Sequence, residues 1–181
     1  MFEENNDKLK KKPLRKITKV RIKNIALYYL KRFDSSVENL RQVLRRRVND
    51  YVYYNPDFDK EQGYAWIEEV LHEFEGYGYL NDERYAEIKV RGYLSAGKSE
   101  RYILGKMREK GILEDLVEKL LGEQEYDVFE MAMRLAKKKK IGPFRVTGDR
   151  KEFWQKDAAK LVTAGFEYEV VKQVLGYEGE E

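Results

Sequence analysis

Apolar residues return every three or four positions along most of the chain, and that spacing predicts helices rather than strands. A first stripe is Ala26, Tyr29, Leu30 and Phe33. A second helix opens on Ser35 and Glu38, which have the S-x-x-E spacing of a capping box, carries Leu40, Val43 and Leu44, and is expected to end near Arg47 and Val48. The polar, aromatic stretch "NDYVYYNPDFDKEQ" then reads as a loop around Pro56. Trp66, Ile67, Val70, Leu71 and Phe74 mark a third helix, with Gly76 and Gly78 able to end it. Asn81 or Asp82 starts a fourth, whose stripe is Ala86, Val90, Tyr93 and Leu94. Ser99 opens a fifth with Ile103 and Met107, stopped at Gly111. Leu116, Val117, Leu120 and Leu121 form a sixth. Phe129, Ala132, Met133 and Ala136 form a seventh, followed by the loop "KKIGPFRVTG". Asp149 and Glu152 resemble a second capping pair before Phe153, Trp154, Ala158, Leu161 and Val162. After Gly165, the stripe Val170, Val171, Val174 and Leu175 closes the series.

The stripes repeat. With Gly111 set against Gly165, Met107 meets Leu161, Ile112 meets Phe166, Val117 meets Val171 and Leu121 meets Leu175. Leu40 and Leu44 correspond in turn to Ile103 and Met107, Ser36 to Ser99, and Ile67 and Leu71 to Val117 and Leu121. About a dozen extra residues separate the helices in the first copy. The expected fold is all-α: three tandem three-helix repeats forming an elongated, curved array. Residues 1–23 are expected to be a flexible basic arm, 24–80 the first repeat with a Tyr-rich insertion at 49–61, 81–124 the second and 125–177 the third.

Composition narrows the chemistry. The chain has 181 residues, no cysteine and a net charge of only +3, but residues 1–23 hold nine Lys/Arg against three acids. Such an arm suits an anionic partner, or simply solubility. Thiolate metal sites and cysteine nucleophiles are excluded, and no segment has the apolar length of a signal peptide or membrane span. A cytoplasmic protein is expected.

Residues 92–99, "GYLSAGKS", match the G-x-x-x-x-G-K-[ST] phosphate loop. A working loop needs a strand before it, whereas Ala86 to Leu94 is a helix stripe. A turn between two helices, with Gly97 bending the chain and Ser99 capping, is the simpler role. His72, the only histidine, lies near Glu68 but has no further convergent ligand. No catalytic group, metal or cofactor is expected. The basic residues are more telling. Arg41, Arg45, Arg46 and Arg47 crowd the second helix, and the stacked pair Arg41/Arg45 costs a few tenths of a kcal/mol, which an anionic partner offsets. Arg91, Lys98 and Arg101 surround the turn between the fourth and fifth helices, and Arg32 completes the candidate binding set. Lys137 to Lys140 complement a helix C-terminus. Tyr51, Tyr53 and Tyr54 can stack on bases or plug a gap between repeats.

The segments "ALYYLKRFDSSVENLRQVLRRRV", "GYLNDERYAEIKVRGYLSAGKSERYILGKMREKGI" and "KLVTAGFEYEVVKQVL" resemble the RecX family of bacterial recombination regulators over about residues 25 to 177. The resemblance implies a monomeric, non-enzymatic protein that binds RecA nucleoprotein filaments along the groove and inhibits or modulates RecA's ATPase, strand-exchange and coprotease activities. It implies contact with single- or double-stranded DNA, directly or through the filament, and no membrane partner. The chain departs from the common pattern in its "RRRV" ending without glycine and in the Tyr-rich insertion. A stand-alone helical DNA-binding protein, or an ATPase using 92–99, are the competing readings.

Overall fold

The computed structural model describes residues 15–178, and all regular structure among them is helical. The order is α1 (Lys19–Leu30), α2 (Val37–Tyr54), α3 (Lys60–Gly76), α4 (Asp82–Ser95), α5 (Glu100–Arg108), α6 (Glu114–Gly122), α7 (Val128–Lys139), a 3-10 turn (Gly142–Phe144), α8 (Trp154–Thr163) and α9 (Tyr168–Gly176). These fall into three tandem triplets. α1 and α4, and likewise α2 and α5, begin at one constant sequence offset; α5 and α8, and α6 and α9, do so at another.

The aligned stripe positions are core positions. Leu40, Ile103, Met107, Leu161, Ile112, Phe166, Val117, Val171, Leu121 and Leu175 are all buried, as are Ile67 and Leu71. Burying each such side chain contributes about 1.5–3 kcal/mol. Two expected stripe members are exposed, Phe33 at 56% and Val162 at 41%, and several others, Trp66 and Trp154 among them, are half-buried.

The chain forms two compact bodies. Among the described residues, the first combines 15–33 with Leu40–Tyr79, and the second combines Asp34–Asn39 with 80–178. In the first, α1 packs on α3, and Ile22 and Ala26 of α1 and Val70, Leu71 and Phe74 of α3 are buried. Lys19 pairs with Glu69, and Lys23 with Glu73, one turn apart on the same two helices. The expected arm lies largely outside the described residues, but its last part is not an arm. Thr18 accepts a hydrogen bond from the Arg21 amide at 3.2 Å, and α1 begins at Lys19 because Ile22 and Ala26 extend the apolar face backward.

The Tyr-rich insertion is also different from expectation. It is not a long loop: α2 continues to Tyr54 and α3 starts at Lys60, leaving only five linking residues, 55–59. Nothing between Leu44 and Tyr54 breaks a helix, and Val48 and Tyr51 prolong the packed face until Pro56 ends it. Phe58 fills the tip, edge-on to Tyr51 at 5.2 Å and tilted against Trp66 at 6.3 Å. Tyr64 donates to Asn49 at 2.7 Å across the two helices.

In the second body one joint is used twice. Ser36, rather than Ser35, caps α2: its hydroxyl accepts from the Asn39 amide at 3.1 Å and donates to the Lys110 carbonyl at 2.7 Å. Ser99 caps α5 in the same way, accepting from Tyr102 and donating to the Ala164 carbonyl at 2.6 Å. Each carbonyl precedes a left-handed glycine, Gly111 (φ +71°) or Gly165 (φ +94°). A Cβ on Gly111 would lie 2.5 Å from Glu38 Cβ, and one on Gly165 2.5 Å from the Ser99 hydroxyl. Glycine therefore supplies both the turn and the close approach at each joint.

The third triplet carries its extra residues between α7 and α8. Asp157, 1% exposed, receives the Gly142 amide at 3.0 Å and two bonds from Arg145 at 2.5 and 3.1 Å. Burial pushes the Asp157 carboxyl up, but the Arg145 guanidinium, the Gly142 amide and Lys160 outweigh it and hold the group below its ordinary range. Arg145 also covers the Phe153 ring at 4.2 Å. Asp149 and Glu152 form no capping pair for α8. The Asp149 side chain accepts from the Lys151 amide at 2.8 Å and its carbonyl from Phe153, building a turn that leads into the helix at Trp154.

Candidate partner-binding surface

The arginines of α2 divide by helical face. Arg41 and Arg45 point toward α3, where Glu68 accepts from Arg41 at 2.9 Å and from Arg45 at 3.3 Å. Arg45 also lies over the Tyr64 ring at 5.0 Å. The repulsion between these stacked arginines is thus offset inside the fold by Glu68, and no external anion is needed for them. That compensation is non-local, and the spacing of the arginines alone does not reveal it.

Arg46 and Arg47 lie on the other side of α2. Both are exposed, and neither makes an ion pair or hydrogen bond among the described residues. With Arg32 they line a groove of about 470 Å³ between α1 and α2, together with Tyr28, Tyr29 and Phe33. Arg32 stacks on the Tyr28 ring at 4.3 Å. Asp50 is the acid in this groove. Farther along α2, Tyr53 and Tyr54 are 79% and 58% exposed and pack edge-on at 5.0 Å. Tyr51 belongs instead to the packing around Phe58.

The basic residues of the second triplet are distributed. Arg91 opens onto a groove with Glu125, Asp127, Glu130 and Arg134. Tyr126, which shares that groove, donates to Glu100 at 2.8 Å; burial first and this acceptor second push its hydroxyl pKa up to about 12. Arg101 lines a different groove of about 800 Å³, with Arg108, Glu114 and Glu167. Lys98 is half-buried with its ammonium 4.8 Å from the Tyr102 ring. Acids accompany Arg91 and Arg101 in both grooves, so the strongest positive patch from this set is Arg32, Arg46 and Arg47.

The phosphate-loop match is a helix–turn–helix junction. Gly92 is inside α4 and Gly97 is the left-handed turn residue after it. The Gly97 amide donates to Leu94 O and the Lys98 amide to Tyr93 O, which is the bonding of a Schellman turn. The amides that a phosphate would need are already used, and no strand precedes them. His72 is exposed on α3, and no group of three or more His, Asp and Glu suited to a metal ion occurs among the described residues. No helix among them is long and apolar enough to cross a membrane.

Comparison with known proteins agrees with this geometry. Residues 81–121 match the family model described as RecX, second three-helix domain, which is the stretch from the α4 cap to the end of α6. A regulatory protein RecX from Myxococcus xanthus is 35% identical over 164 residues, covering 89% of this chain and 87% of its own length. The chain belongs to the RecX family. The RecX fold also appears in solved structures. RecX from Lactobacillus salivarius superposes with a TM-score of 0.61 at 21% identity, covering 88% of this chain and 96% of its own. A second, titled regulatory protein RecX, gives 0.63 at 23% identity, covering 88% and 72%. These establish the fold, and the closer sequence relative establishes a regulatory family. Relative to the second triplet of this RecX chain, the first has longer second and third helices, and that extension carries the exposed arginines and tyrosines.

Proposed function

We propose that this chain is a non-enzymatic, monomeric cytoplasmic regulator that binds RecA nucleoprotein filaments along their groove and restrains RecA's ATP turnover, strand exchange and coprotease action. Membership of the RecX family, carried by the 35% identity to the Myxococcus xanthus protein across most of both chains, is the observation on which this rests. The helical repeats support it physically. Units of three short helices fill their interiors with aligned apolar residues and leave polar faces for a large partner. The division that fits this reading is one repeat each for α1–α3, α4–α6 and α7–α9. Arg32, Arg46 and Arg47 are the cationic contacts, toward acidic filament surfaces or DNA phosphates; Arg41 and Arg45 support them from the paired side of α2. Arg91, Lys98 and Arg101 are secondary contacts.

The test is a titration of the protein into RecA bound to single-stranded DNA, with ATP hydrolysis as readout. The rate is expected to fall as the protein approaches stoichiometry with RecA. An unchanged rate across that range rejects the reading.

A further inference from the structure

The groove of about 800 Å³ on the second body contains a glycine that the fold does not require. Gly105 lies inside α5, where glycine weakens a helix relative to alanine. Its φ is not left-handed, and a Cβ built on it would meet nothing within 4 Å. It therefore supplies neither a turn nor a close approach within this chain, in contrast to Gly111 and Gly165. The repeat does not demand it either, since the matching positions hold Gln42 in the first triplet and Ala159 in the third. Gly92 of α4 is equally unconstrained but does not line this groove. Around Gly105 the floor is apolar, formed by the half-buried Leu104, Val128 and Val170. One wall is α5, which carries Arg101, and the other is the start of α9, where Glu167 stands. The side chains of Arg101 and Glu167 make no ion pair or hydrogen bond among the described residues. The other charges in the groove are engaged: Arg108 donates to Glu114 at 2.6 Å, and Glu100 accepts from Tyr126 at 2.8 Å.

We infer that this groove receives an amphipathic α-helix of a RecA protomer. The helix backbone lies over Gly105 and its apolar stripe on Leu104, Val128 and Val170, with an acid toward Arg101 and a base toward Glu167. The inference deepens the proposed function and rests on it for the identity of the partner, but it places the recognition on the second body, where the arginines of α2 take no part. The groove itself selects a helix. Strand addition needs a sheet edge, and all regular structure among the described residues is helical. A proline-rich segment needs an aromatic-lined groove, and Phe166, the one ring among the lining residues, is buried. Packed helix axes lie about 8–10 Å apart, depending on the side chains at the contact, so a bare position on α5 admits a third helix closely. Nucleic acid fits poorly, because Glu100, Glu114 and Glu167 outnumber the two arginines.

The experiment uses the full chain and RecA on single-stranded DNA. Gly105→Gln installs the residue that the first triplet carries at this position. It should raise the melting temperature of the free protein by about 1–3 °C, since glutamine favours a helix interior over glycine. The same variant should need about tenfold more protein to halve ATP hydrolysis, because the new side chain fills the space the docked helix occupies. A gain in stability with a loss of inhibition is what a partner-facing glycine predicts. A fall in melting temperature would show that Gly105 serves the fold, and inhibition at the parent's concentration would show that nothing docks there; either overturns the inference and leaves the proposed function standing. No inhibition by the parent chain would reject the proposed function and the inference with it. A second measurement keeps Gly105 intact. The chain has no cysteine, so Arg108→Cys labelled with a benzophenone maleimide before mixing puts one photocrosslinker at the groove. Crosslinks are expected on RecA at positions three and four residues apart on one helix. Crosslinks to DNA alone, or none to RecA, would overturn the inference.

Discussion

In the first triplet α2 and α3 run for 18 and 17 residues where α5 and α6 run for 9 each, whereas the additional chain between α7 and α8 in the third triplet forms only a 3-10 turn. The difference follows from composition. Residues 49–54 contain no glycine or proline, so the helix propagates and the extra chain becomes surface. Residues 140–153 contain Gly142, Pro143 and Gly148, so no helix forms. That irregular backbone is held by a buried ion pair between Arg145 and Asp157. One insertion adds an exposed rim at little cost to the core; the other is organised around a buried carboxylate, Asp157, that accepts from Arg145 and the Gly142 amide.

The largest expected effect is therefore in the second insertion. Asp157→Ala leaves Arg145 and the Gly142 amide without their acceptor and should cost about 3–5 kcal/mol, read as a shift in the denaturation midpoint. The pH dependence has a definite sign. Because the folded-state pKa of Asp157 is held down, its contribution is present above the unfolded carboxylate value near ~3.9 and disappears as pH falls through the lower folded value. The acid limb of stability against pH should be shallower in Asp157→Ala than in the parent.

Gly165→Ala tests the joint and should destabilise by about 1–3 kcal/mol, since alanine tolerates a φ of +94° poorly and its Cβ meets the Ser99 hydroxyl. An equal loss in Gly111→Ala would establish that the two joints are equivalent. Smaller still is Arg41→Gln, where loss of the half-exposed pair with Glu68 should cost about 0.2–1 kcal/mol. Replacing Tyr53 and Tyr54 by alanine should change stability by under about 0.5 kcal/mol. A larger loss would mean that the first insertion is part of the core and would erase the contrast between the two regions.

Much of the fold was legible from spacing. Every residue aligned across the repeats as a core position, from Leu40 and Ile103 to Leu121 and Leu175, is buried. The end of α2 was misread because a run of tyrosines around Pro56 resembles a loop, although Leu44, Val48 and Tyr51 continue the apolar face. The Arg145–Asp157 pair left one trace: Asp157 stands one turn before Leu161, on the stripe that otherwise holds apolar residues. The binding surface was legible only as a set of arginines. Spacing along one helix could not tell which of them α3 would neutralise, because the Glu68 contact spans 27 positions to Arg41.

That partition of the arginines allows one decisive assay. Arg46→Glu with Arg47→Glu reverses the unpaired face of α2 and leaves the Arg41–Glu68–Arg45 contacts in place. Titrated into RecA on single-stranded DNA, this variant should retain the parent's melting temperature but need at least about tenfold more protein to halve ATP hydrolysis, the equivalent of roughly 1.4 kcal/mol of lost binding. Inhibition at the parent's concentration would contradict the assignment of this face as the contact surface.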